Sequence, residues 1–135
     1  MSVKKTKDFK LTEEMVENIN NFLPADEDLV MSKICAMINT LVEDEEMRKV
    51  QAATITGWLE SVGVLEMVVN AEGIRNRLPT FVGLEIGLKT EEVESDKGVY
   101  TKVTYTPRAQ KFIFKNISYF KEYLDNQEES YQTAV

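Results

Sequence analysis

The fourteen residues from Ala52 to Leu65, Ala52-Ala53-Thr54-Ile55-Thr56-Gly57-Trp58-Leu59-Glu60-Ser61-Val62-Gly63-Val64-Leu65, carry the decisive change of period in this chain. Ile55, Leu59 and Val62 recur at helical spacing, with Trp58 beside them, and Gly63 stands where a helix C-cap takes glycine. Residues 64–69 then read Val-Leu-Glu-Met-Val-Val, which is strand-like. Asn70-Ala71-Glu72-Gly73 reads as a turn, and residues 74–78 return with Arg75 and Arg77 alternating. A helix that runs directly into a β-hairpin is therefore expected, the helical character starting near Met47, either in one piece or as a short turn before a longer helix.

Two helices are expected upstream. Thr12 caps the first with its hydroxyl, Glu13 and Glu14 suit the positive end of its dipole, and Pro24 closes it. Val30, Ile34, Met37, Ile38 and Leu41 form the apolar stripe of the second. Downstream, Pro79 opens a short helix holding Phe81, Val82 and Leu84, punctuated by Gly83 and Gly87. Residues 88–94 and 99–106 form a second hairpin, with period-two alternation from Val99 to Tyr105. Thr106-Pro107 is an N-cap followed by proline at the first helical position, and one long helix is expected from there to about Leu124.

The expected fold class is α+β: a helical core with β-hairpins and a long C-terminal helix. The chain has 135 residues, the size of one domain. Residues 1–135 are read as a single domain, with residues 1–10 as a basic flexible arm and residues 126–135 as a polar tail.

Composition excludes several chemistries. The chain has no His, which removes imidazole metal ligands, imidazole bases and His-dependent nucleophiles. Its one Cys allows neither an internal disulfide nor a multi-cysteine zinc site. Ser118-x-x-Lys121 has the spacing of a Ser–Lys pair but lacks its companion motifs. Gly83-x-x-x-Gly87 has no following Lys-Ser/Thr and reads as packing glycine rather than a phosphate loop. The acids at 26–28 and 43–46 lack the spacing of a calcium loop. The expectation is a protein that is not an enzyme and takes no metal and no cofactor. No apolar run approaches the roughly 20 residues of a membrane span, and no secretory signal pattern opens the chain. The chain is read as a soluble, cytoplasmic protein with no membrane partner.

Charge is unevenly placed. The net value is −7, yet residues 1–10 balance at +3, residues 11–60 at −8, and residues 106–121 at +4 with no acid among them.

The order of three helices and a hairpin resembles the winged-helix, or helix-turn-helix, superfamily over roughly residues 30–78. That resemblance implies a recognition helix near residues 51–62 lying in the major groove of double-stranded DNA. Its outward positions would be Gln51, Thr54, Gly57, Glu60 and Ser61, with Gln51 and Thr54 as base or phosphate contacts. Arg48 and Lys49 before the helix, and Arg75 and Arg77 in the hairpin, would contact phosphates. None of the outward helix positions is basic. The alternative is an acidic protein-interaction module, or a protein inhibitor, without DNA binding. Phe114, Tyr119 and Tyr123 are expected to give the last helix a second apolar face, and hence a homodimer interface.

Overall fold

The computed structural model of the chain describes residues 4–133, with side chains described as far as Gln127. The fold is α+β. Among the described residues there are six helices and two antiparallel hairpins: α1 (Glu13–Asn20), α2 (Met31–Asn39), α3 (Ala52–Ser61), β1 (Leu65–Val69), β2 (Arg75–Pro79), α4 (Phe81–Ile86), β3 (Leu88–Ser95), β4 (Gly98–Tyr105), α5 (Pro107–Lys115) and α6 (Ile117–Thr133).

Local chemistry sets most of these boundaries. The Thr12 hydroxyl accepts from Met15 N–H, Thr80 from Gly83 N–H and Thr106 from Ala109 N–H, so three helices begin on a threonine N-cap. Pro107 follows its cap where a missing N–H costs nothing. Gly87 ends α4 at φ 113°, a left-handed conformation that favours glycine.

The hairpin registers match the period-two reading. Leu65 pairs with Pro79 and Val69 with Arg75 in the first; Leu88 pairs with Tyr105 and Ser95 with Gly98 in the second. Leu29 and Tyr105 also exchange backbone hydrogen bonds of 3.0 and 2.7 Å, which ties the approach to α2 onto the end of β4. The core gathers Ile19, Ile34, Ile38, Ile55, Trp58, Leu59, Tyr105, Ile113, Phe114 and Phe120, each almost wholly buried. Gln110 is the buried polar residue among them. Its carbonyl accepts from Ala25 N–H at 2.7 Å, and its amide donates to the carbonyls of Glu27 and Tyr105, both at 2.9 Å. That side chain holds the loop between α1 and α2 against α5.

The helical character expected from Met47 begins only at Ala52. Residues 47–51 are extended: Met47 bridges Lys7, and the backbone of Val50 is held by the Asn39 amide through two bonds of 2.8 and 3.1 Å. The single long C-terminal helix is two helices, broken at Asn116, whose side chain caps the Phe112 carbonyl at 2.8 Å. The basic segment expected as an arm lies along the acidic turn. Lys7 pairs with Asp44 and Glu46, Arg48 with Asp8, and Lys5 donates to the Glu45 carbonyl. Residues 1–3 of the arm and 134–135 of the tail fall outside the described residues, and α6 covers the tail from residue 126 to Thr133.

Candidate functional site

Helix α3 is the element expected to read DNA. Ile55, Trp58 and Leu59 seat it in the core, leaving Ala53, Thr54, Gly57, Glu60 and Ser61 on the outer arc. β2 lies close enough for Arg77 to reach over that arc. Its guanidinium donates to Glu60 Oε1 at 2.7 Å, to the Thr56 hydroxyl at 3.0 Å and to the Ala53 carbonyl at 3.2 Å. From the opposite side α6 brings Tyr123, whose hydroxyl lies 3.2 Å from where a Gly57 side chain would begin. This contact accounts for glycine inside a helix, where it costs about 1 kcal/mol against alanine. The centre of the outward face is thus already covered by the chain's own Arg77 and Tyr123.

The other expected nucleic-acid contacts do not form one basic surface. Arg48 is engaged with Asp8 at 2.9 Å. Lys49 and Gln51 line a groove of about 520 Å³ against α2, beside Ser32, Cys35, Ala36 and Asn39. Thr54 is half-buried on α3. Arg75 is exposed on β2 and, with Asn76 and Arg77, borders a separate groove of about 370 Å³ between the two hairpins. Thr56, Met67, Thr101 and Val103 are among the other residues lining it, and no carboxylate is. Cys35, 5% exposed, has its thiol pushed up to about 11 by burial, so it is inert at neutral pH.

The aromatic interface requires correction. Phe114 is fully buried, packed edge-to-face on Phe22 with ring centroids 5.4 Å apart. Tyr123 is half-buried, stacks on Phe120 at 6.4 Å and covers Gly57. Tyr119 alone of the three is exposed, at 60%. The inward face of α5 is Ala109, Gln110, Ile113 and Phe114, and Phe112 lies at its edge. The inclusion of the polar Gln110 in the core rotates the buried stripe away from the one that aromatic spacing suggests, and the break at Asn116 ends the phase relation between Phe114 and Tyr123.

The structure draws attention to α4 instead. This six-residue helix turns Gly83 inward so closely that an added Cβ would stand 2.3 Å from the Val64 carbonyl oxygen. Thr80 fixes the approach: its hydroxyl donates to the Gly63 carbonyl at 2.6 Å and its N–H to the Val64 carbonyl at 3.0 Å. With glycine on the packing side, the bulky residues must point outward. Phe81 is 75% exposed, Leu84 51% and Val82 50%. Beside them, Ile86 and Phe112 floor a groove of about 350 Å³ rimmed by Glu85, Arg108, Lys111 and Lys115. The Arg108 guanidinium donates to the Glu85 carbonyl and Lys115 to the Asn20 carbonyl at 2.8 Å. The signal was present in the sequence, as Gly83 within an apolar helix and as the acid-free +4 segment.

The remaining motifs have structural occupations. Lys121 is held by Asp125 at 2.8 Å and Glu13 at 3.7 Å, and Asp28 pairs with Lys89 at 3.3 Å. Among the described residues no group of acids or Cys is placed to hold a metal ion, and no helix is long and apolar enough to cross a membrane. Comparisons with protein-family models, with curated proteins and with solved structures find no match to this chain.

Proposed function

We propose that this protein is a small, non-enzymatic interaction module whose partner is another protein. One observation carries the reading: three of the six residues of α4 are large apolar side chains at least half exposed. Contiguous apolar surface of this kind marks protein contact sites, and the seating of Gly83 forces it outward.

A second reading keeps the winged-helix resemblance and duplex DNA. It is favoured by the groove that Arg75 and Arg77 border without a lining carboxylate. It is the weaker because Arg77 is bound to Glu60 across the reading face, and Arg48 is bound to Asp8.

A salt series on a fluorescently labelled duplex tests the choice. Phosphate contacts make log K fall by about 0.9 per contact for each unit of log[salt]. The protein-partner reading expects no duplex binding at low salt. Binding with that slope, reduced by about one contact in Arg75→Ala, overturns it in favour of DNA.

A further inference from the structure

We propose that the groove between α4 and α5 docks an acidic, amphipathic helical segment of a partner protein. The inference rests on the protein-partner reading and names its site and its chemistry.

The groove has an apolar floor in Ile86 and Phe112. By helical phase, Leu84, Phe81, Glu85, Val82 and Ile86 follow one another around α4, so the exposed apolar arc runs into the groove edge. Arg108, Lys111 and Lys115 lie at i, i+3 and i+7 along α5 and rim the same groove. They span about 10 Å, two helical turns. None of the three has a carboxylate partner among the described residues. Among the described residues Arg108 and Lys115 donate only to backbone carbonyls, and Lys111 makes no hydrogen bond or ion pair. By contrast Lys7, Arg48, Arg77, Lys89 and Lys121 are each matched to an acid.

An apolar floor of Ile86 and Phe112, edged along two turns of α5 by cations that have no carboxylate partner among the described residues, complements a helix carrying apolar anchors at i and i+4 with carboxylates beside them. Duplex DNA would satisfy the three cations but would leave Phe81, Val82 and Leu84 in water. Glu85, which stands between Phe81 and Val82 in that phase, is the one carboxylate on the rim.

The test titrates the full chain, isotopically labelled, with a synthetic peptide of about 16 residues, long enough to hold a helix. The peptide carries Leu and Phe at helical spacing with Glu between them. A twin carries Lys in place of every Glu. The expected result is amide shift changes centred on Phe81, Val82, Leu84, Ile86, Arg108, Lys111, Phe112 and Lys115 with the acidic peptide and not with its twin. Lys111→Glu with Lys115→Glu should weaken the acidic peptide at least tenfold and admit the basic one. That swap also shows the variant to be folded. Equal binding of both peptides, binding of neither, or shifts elsewhere overturns the proposal. So do shifts at these residues that depend on protein concentration alone, or that follow added duplex DNA. Failure of the peptide without any duplex binding removes this groove and leaves the protein-partner reading. Duplex binding that depends on Arg75 removes that reading itself.

Discussion

Replacing Gly83 with alanine adds one methyl group at the point where α4 rests on the chain entering β1. The new carbon would stand 2.3 Å from the Val64 carbonyl oxygen and 3.2 Å from Pro79 Cβ. The obstacle is backbone, so it cannot rotate away. Relief needs α4 to withdraw by about 1 Å, and overpacking of this kind costs roughly 1–3 kcal/mol. Withdrawal also stretches the two bonds that Thr80 makes to Gly63 and Val64, each worth about 1 kcal/mol net. Alanine recovers about 1 kcal/mol of helix propensity. The balance is a loss of about 2–4 kcal/mol, the sum of these contributions. Urea unfolding followed by Trp58 fluorescence measures it as a lower midpoint with unchanged slope. A variant as stable as the parent, or more so, would mean that α4 is not seated through Gly83 and that nothing obliges Phe81, Val82 and Leu84 to face solvent.

Three further outcomes are expected. Gln110→Leu, close in shape, leaves Ala25 N–H and the Glu27 carbonyl without this partner, while the Tyr105 carbonyl keeps Leu29 N–H; a loss of about 1–3 kcal/mol in urea is expected from the stranded polar groups, and a loss below about 0.5 kcal/mol would show that water replaces the amide. Asp44 is held below the usual carboxylate range by the Lys7 ammonium, then by Glu46 N–H; a depressed acid gives stability above its unfolded value that is lost as pH falls through the folded one. Acidification below the ordinary carboxylate range, or Asp44→Asn at neutral pH, should therefore speed hydrogen exchange at the Thr6, Lys7 and Arg48 amides before the core responds. Cys35, buried and with its thiol at about 11, should react with a disulfide reagent at pH 8 only as fast as the chain opens, and at the free-thiol rate in urea.

How much of this was legible beforehand depended on which physical signal a segment carried. Where the chain's own chemistry decides, as at Thr12, Thr106-Pro107 and both hairpins, residues and structure agree within a residue or so. Side-chain oxygens beside free N–H groups, and two-residue alternation, act locally. The misread segments are those decided by distant partners. Residues 47–51 are held extended by Lys7 and Asn39, and α5 is turned by Gln110, whose role depends on a loop more than 80 positions away. The same holds for the candidate site. Arg77 looked free to meet a phosphate because Glu60, seventeen positions away, gives no sign in sequence of accepting from it. The outward arc of α4 was accessible in principle, since glycine on one side of a helix marks the packed side. Spacing showed the helix; only packing showed which side it uses.

The most direct test of the central claim, that α4 rather than α3 is the working surface, is photo-crosslinking in producing cells from a benzophenone amino acid at Phe81 and, separately, at Gln51. A discrete protein adduct from Phe81, stable to nuclease, is expected, and none to nucleic acid from Gln51. A nuclease-sensitive adduct from Gln51, with none from Phe81, would contradict it.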